Sequence, residues 1–403
     1  MSDTPHSPEE STSRDERKLL HLIWEHPSKV VGGLGVAGAG LCDALAENDG
    51  ISVQIISPSS RINDNFINLN SYQLDIDIEN ALKLQASVED QQDLVGITGA
   101  VADFTREVHV AQLTAEAAAH PQYAVVHAHD WMTAAAGVSV QRAQEVPLIL
   151  HVHSTQIDRE GVHATGAVYQ HEKWAMQQAD VIIAVSDYTK GVIIEHYEIS
   201  EDKIQVVRNA GAGDEKPFLT EKLLAKKQPI VMFAGRLVGQ KYPEVAVEIM
   251  AGALTKVENA RGVIAGGGDK LEAIRSLVKF KGMGDRIEVL GNVPQQNMNT
   301  VYEPASVLIL PSVSEPFGLV ALEAARAGVA VMLSDRCGVS EVLKSAQVID
   351  LYSTEKWIEN LVNLLENEDA REVQARQQIS EIADYSWSDA SDAVLEIVGG
   401  LIE

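Results

Sequence analysis

Cationic side chains are scarce: 32 Lys and Arg stand against 58 Asp and Glu in 403 residues, a formal net charge of −26. Such a field repels nucleic acid and anionic lipid, so neither is expected as a partner, and any phosphate the chain binds must be held by a local cluster of donors. Cysteine is nearly absent. Cys42 and Cys337 stand far apart in the sequence and supply no disulfide framework, which fits a reducing compartment. No apolar run reaches the roughly 18 residues that would suggest a spanning helix, and the N-terminus lacks the basic-then-apolar order of a secretory signal. These absences point to a cytoplasmic protein. Residues 1–17 contain no apolar side chain after Met1 and are expected to form a disordered tail.

What is present is aliphatic and punctuated by glycine: 45% of residues are hydrophobic, only 5% are aromatic, and there are 29 glycines. From Lys18 onward short aliphatic runs alternate with Ala-rich helical stretches: Leu19 to Trp24, Ile51 to Ser57, Ala124 to His127, Leu148 to His151, Val181 to Val185 and Ile204 to Val207. That alternation predicts a parallel sheet covered by helices. Small residues and breakers from Asn209 to Gly213, and again near Pro217 and Pro229, suggest a linker. A second series follows at Pro229 to Ala234, Gly262 to Ala265, Ile287 to Leu290, Val307 to Pro311 and Val329 to Ser334. The expected fold class is α/β, with two Rossmann-like domains facing across a cleft. The first spans 18–212, the second 213–380, and a C-terminal helical segment 381–403 follows. Ligands of such sheets lie at the carboxyl ends of the strands, which here means in the cleft.

Five segments carry chemistry. Gly33-Leu34-Gly35-Val36-Ala37-Gly38 satisfies the spacing of a dinucleotide fingerprint, but it does not directly follow a strand, and the next strand ends in Ser57-Pro58-Ser59 with no ribose-binding carboxylate. Gly32 and Gly33 make better sense as a loop opening a helix, where bare backbone N–H groups can approach a diphosphate. His127-Ala128-His129-Asp130-Trp131 and His151-Val152-His153 fall at strand ends, so alternate members share one face and can converge. A metal site would use neutral imidazoles backed by Asp130, but no helical His pair accompanies them. Ordinary core histidines and polar groups lining a cleft are the other readings. Gly235-Arg236-Leu237 with Lys241 places two cations after the first strand of the second half, suited to phosphate oxygens. Finally, the strand Val307 to Leu310 delivers the chain to Pro311-Ser312-Val313-Ser314-Glu315-Pro316-Phe317-Gly318, after which a helix begins and carries Glu323. Its N-terminus offers unpaired N–H donors, and a carboxylate such as Glu323 accepts two bonds from a vicinal diol.

On these residues the sequence resembles the retaining glycosyltransferases of the two-Rossmann (GT-B) fold, the broad group of glycogen, starch and sucrose synthases. The resemblance runs from about Leu19 to about Trp387. It is carried by Ser314 to Glu323 with Gly338-Val339-Ser340-Glu341, by Gly235-Arg236 with Lys241, by Gly32-Gly33-Leu34, by His127 to Trp131, by His153-Ser154-Thr155 and by Tyr385-Ser386-Trp387. Lys29 lies one residue further from Gly32 than in the Lys-x-Gly-Gly-Leu form of the group, and Tyr242-Pro243 stands where a glycine is usual.

The resemblance implies transfer of a hexosyl group, glucosyl foremost, from a UDP- or ADP-sugar to a hydroxyl acceptor, with a glucan or oligosaccharide favoured. It implies no cofactor and no metal. Arg236 and Lys241 would neutralise the leaving diphosphate, helped by Gly32 and Gly33. Glu323 would bind the ribose, and Glu315 with Phe317, Gly318 and Leu319 would hold the sugar. His153 would reach the sugar from the first domain, Val293 would stand on the donor side, and His129 and Asp130 on the acceptor side. A sugar-nucleotide-binding protein without transfer and a nucleotide-sugar epimerase are the alternative functions. The C-terminal helix is expected to cross back to the first domain.

Overall fold

Parallel strands form wherever the aliphatic runs occur, and the computed structural model describes residues 17–25, 32–58, 99–108, 123–210, 227–383 and 385–403. The first sheet contains β1 (Arg17–Leu22), β2 (Ile51–Ile56), β3 (Val125–His129), β4 (Leu148–Val152), β5 (Val181–Ala184) and β6 (Ile204–Val206), in the order β2-β1-β3-β4-β5-β6. The second contains β7 (Ile230–Ala234), β8 (Arg261–Ala265), β9 (Ile287–Gly291), β10 (Val307–Leu310), β11 (Ala330–Ser334) and β12 (Gln347–Ile349), in the order β12-β11-β10-β7-β8-β9. Every pairing among the described strands is parallel. The two Rossmann-like α/β domains expected from the sequence are therefore present.

Three details differ from the sequence reading. Arg17, placed in the tail, is the first residue of β1: it is in register with Ile51, and its N–H donates to Gly50 O at 2.8 Å. Backbone pairing with a neighbouring strand orders a residue whose side chain buries little. The run ending at His127 continues to His129, because β4 offers register partners that far. The short edge strand β12 was not anticipated, since its Gln347 and exposed Val348 give it no buried apolar pattern. Lys29, most of the tail, the bulk of 58–123 and the junction near 212 lie outside the described residues.

Both sheets reverse strand order beside their first strand, at β1/β3 and at β7/β10, and these switch points open crevices at the carboxyl ends. Each segment singled out in the sequence leaves one of these strand ends. The first sheet is buried on both faces. Leu20, Leu22, Val126, Leu148 and Leu150 pack on one side, while Leu19, Val125 and Ile149 meet the helix Gly33–Ala46 on the other.

The last helix, Trp387–Ile402, returns to the first domain. Trp387, Ala390, Val394 and Val398 join Leu41 and Leu45 in one buried cluster, each large side chain stabilising by about 1.5–3 kcal/mol. Glycine is required for this contact, since a methyl on Gly40 would stand 2.3 Å from the Trp387 indole. The helix is capped by Ser386 and Asp389, and Asn48 Nδ2 donates to Ser391 Oγ at 3.2 Å. Among the described residues no helix is long and apolar enough to cross a membrane.

Candidate active site

Two helix N-termini open onto the space between the sheets. The helix Gly33–Ala46 starts after Gly32, and the helix Leu319–Arg326 starts after Gly318, so each points free backbone N–H groups at the crevice. They are close: a methyl on Gly33 would stand 3.8 Å from Leu319 Cδ1. Glycine is needed at 318, where φ is +113° and a Cβ would press on Val339 Cγ1 at 3.1 Å and Glu315 Cγ at 3.2 Å. The Gly32 N–H is directed to Glu25 Oε2 at 3.1 Å.

At the end of β7, Gly235 takes φ +144°, and its carbonyl lies where a Cβ on Gly266 would be, at 1.8 Å. This close approach of two loops fixes the turn that carries exposed Arg236. Lys241 points the other way, to Glu315, with Nζ to Oε2 at 2.5 Å and side chains 16% and 9% exposed. Sequence reading assigned these two residues separately to diphosphate and sugar, whereas the structure makes them one ion pair. The Tyr242-Pro243 departure is accommodated by backbone geometry. Tyr242 adopts φ +52°, the conformation a glycine would favour, and Pro243 opens the next helix at a position where its missing N–H costs nothing.

Glu323 sits one turn inside its helix, where Tyr302 Oη donates to Oε2 at 2.7 Å and Gln295 Nε2 to Oε1 at 2.8 Å. Each oxygen keeps a lone pair free for a diol. Burial raises the Glu323 carboxyl above its usual range, opposed by these two donors and by Arg326. Phe317 is buried at 4%, and Val293 and Leu319 are half-buried against the second-domain core.

His153, just after β4, is half-buried, with Nε2 2.9 Å from His129 Nδ1. His129 is wholly buried and Asp130 nearly so, at 0% and 5%, and both hold His153. Asp130 Oδ1 accepts from the N–H of His153 at 2.6 Å and of Ser154 at 3.3 Å, and Asp130 holds a positive φ of 59° to do so. Burial pushes the Asp130 carboxyl up to about 7, with the His153 N–H and the Arg159 charge pulling against it. Burial also lowers His153 to about 3, so its ring is neutral at pH 7.

A polar seam joins the two domains beside these groups; Ser314, Pro316 and Glu341 lie in segments the sequence singled out, whereas Asp158, Ser186, Thr189 and Arg208 carried no signal there. Ser314 Oγ donates to Asp158 Oδ1 at 2.5 Å, and Asp158 caps the turn after His153 through the Thr155 N–H at 2.7 Å. Pro316 O accepts from Ser186 Oγ at 2.5 Å and from Thr189 Oγ1 at 3.2 Å. Glu341 accepts from the N–H groups of Asp187 and Tyr188 at 3.0 and 2.9 Å, capping the N-terminus of a first-domain helix from the second domain, and from Arg208 Nε at 3.0 Å. The seam holds the Glu315 loop and the His153 loop in one frame.

This geometry has known counterparts. Residues 31–210 match the family described as Glycosyltransferase Family 4, and residues 215–383 match Glycosyl transferases group 1. An uncharacterised glycosyltransferase of Methanocaldococcus jannaschii is 28% identical over 81% of this chain and 83% of its own length. A glycogen synthase of Mycobacterium tuberculosis is 25% identical over 82% and 81%. Among solved structures, sucrose-phosphate synthase from Thermosynechococcus elongatus superposes with a TM-score of 0.74 at 18% identity, covering 96% of this chain and 99% of that one. HepE of Anabaena, solved with UDP and glucose, gives 0.69 at 14% identity over 96% and 100%. With both halves matched in turn by glycosyltransferase models and the paired sheets shared with solved glycosyltransferases, the chain is a glycosyltransferase with the two-Rossmann (GT-B) fold.

Proposed function

We propose that this glycosyltransferase moves a hexosyl group, glucosyl foremost, from a nucleoside diphosphate sugar to a hydroxyl acceptor with retention of configuration, a glucan or oligosaccharide being the first acceptor to test. The observation that carries the reading is the convergence of two helix N-termini with Lys241, Glu315 and Glu323 at facing sheet ends. Arg236, Lys241 and the N–H groups near Gly33 and Gly318 would meet the diphosphate. Its negative charge grows as the glycosidic bond breaks, so fixed donors favour the transition state over the ground state. Glu323 would take the ribose hydroxyls, and Glu315 and His153 would bracket the sugar. Glu315 is engaged by Lys241, which suits sugar binding better than attack on the anomeric carbon, so a front-face displacement without a covalent enzyme intermediate is the mechanism we favour. Charge neutralisation by side chains also favours transfer that needs no metal.

Thermal shift against UDP-, ADP- and GDP-glucose, the free diphosphates and NAD tests the donor site. One diphosphate and its sugar conjugate are expected to raise the melting temperature selectively. Stabilisation by NAD alone would overturn the reading. The product's anomeric configuration, read by NMR, decides retention.

Donor affinity should also depend on pH through Glu323. Its raised value means that the carboxylate becomes protonated at a pH above the ordinary glutamate range. Binding that requires the ionised form is therefore full above that raised value and is lost as pH falls through it. Glu323→Gln is expected to weaken donor binding about tenfold or more, as loss of hydrogen bonds to a charged group does, and to flatten the pH profile. Unchanged affinity in calorimetry would remove Glu323 from the ribose.

A further inference from the structure

Five histidines stand together on one face of the first sheet. His21 of β1 is in register with His127 of β3, His129 is in register with His151 of β4, and His153 follows two residues later, so all five rings project to the same side. Three hydrogen bonds join their ring nitrogens: His21 Nδ1 to His129 Nε2 at 3.2 Å, His129 Nδ1 to His153 Nε2 at 2.9 Å, and His127 Nε2 to His151 Nδ1 at 3.2 Å. Four nitrogens are then left buried with no hydrogen-bond partner among the described residues: His21 Nε2, His127 Nδ1, His151 Nε2 and His153 Nδ1. A buried polar atom left unsatisfied costs about 1–3 kcal/mol, so four in one cluster need an explanation that a hydrogen-bonded core does not supply.

We propose that His129, His151 and His153 form a three-imidazole site for one borderline-soft divalent cation, Zn²⁺ being the type. Their ligand atoms lie within 4.8 Å of one another. Closing on a metal at bonds of about 2.0–2.1 Å requires the nitrogens to draw in to roughly 3.4 Å, the stacked rings, now 15–24° from parallel, to turn so that their lone pairs converge, and the His129–His153 hydrogen bond to open. His21, His127 and His129 make a second such group, but all three are fully enclosed, whereas His153 of the outer group is half-buried. His129 belongs to both, so the cluster holds one ion. Burial keeps these rings neutral, which leaves lone pairs available to the ion. Imidazole ligands select zinc, copper, nickel or cobalt over magnesium or calcium. The site shares His153 with the proposed sugar pocket but includes neither Arg236 nor Lys241, and the ion is assigned no part in diphosphate chemistry.

The test uses tag-free full-length protein stripped with chelator and titrated with Co²⁺, whose visible ligand-field absorption reports coordination, followed by Zn²⁺ competition. We expect one saturable equivalent that Zn²⁺ displaces. His151→Asn is expected to weaken it about tenfold or more, whereas His171→Asn, which removes a buried histidine outside the cluster, leaves it unchanged. His153→Asn provides a second variant at a half-buried position should His151→Asn fail to fold by circular dichroism. Absence of saturable Co²⁺ binding, or binding that survives substitution in the cluster, would overturn the site and leave a stack of neutral core histidines.

Discussion

Lys241→Ala is expected to lower kcat by about 10²–10³-fold, the loss seen when one preorganised stabiliser of transition-state charge is removed. The same change strands Glu315, 7% exposed, whose ion-pair partner is Lys241 Nζ at 2.5 Å. Breaking a buried pair from one side costs about 3 kcal/mol, so the melting temperature should fall too. The two effects separate in the double variant Lys241→Ala, Glu315→Gln. Neutralising the stranded carboxylate restores stability, while turnover stays low because the cation and the sugar-binding carboxylate are both missing. Recovery of turnover together with stability would remove both charges from the chemistry, and near-native kcat in Lys241→Ala would remove Lys241.

The second large effect is expected at Gly338. A methyl there would stand 2.2 Å from Pro316 O and 2.6 Å from Ser186 Oγ, in the middle of the seam between the domains. Gly338 is not a positive-φ residue, so the effect of Gly338→Ala is one of space and not of backbone strain. The Gly338 N–H also donates to Glu315 O at 2.9 Å, which ties this position to the sugar side of the site. Overpacking of this kind costs about 1–3 kcal/mol, and a displacement of the Glu315 loop by about 1 Å is enough to lower kcat/KM by roughly 10²-fold. Gly399→Ala is the control, because nothing lies within 4 Å of its added methyl. In the helix Trp387–Ile402 it should leave activity unchanged and raise stability by about 0.5–1 kcal/mol. Equal behaviour of the two variants would show that the seam does not position the site.

Much of the site could be read in one dimension because its residues are consecutive. Ser314 to Glu323 form a single strand-loop-helix unit, and strand ends and helix starts are set by local pattern. The histidines show the limit. The period of two predicts that His127 and His129 share a face and that His151 and His153 do, but a lone histidine in Leu19-Leu20-His21-Leu22-Ile23 carries no local signal. It joins the cluster only through the register that places His21 beside His127. The burial of His129 and Asp130 was not legible for a related reason. Burial of a strand end depends on what packs over it, and here helices cover both faces of the sheet.

By itself the sequence determined the class of fold and the candidate donor chemistry, since hydrophobic periodicity, glycine placement and strand-end motifs are local properties that act wherever the chain runs. It also set the scarcity of positive charge, which makes Arg236 and Lys241 conspicuous. Only the tertiary structure decided that Lys241 and Glu315 form one ion pair, that Glu341 caps a helix of the other domain, and that five histidines meet. Those outcomes depend on sheet register and on how two domains close against each other. Both are fixed by packing between segments more than a hundred residues apart in places, as for Ser186 and Pro316, which stand 130 residues apart in the sequence.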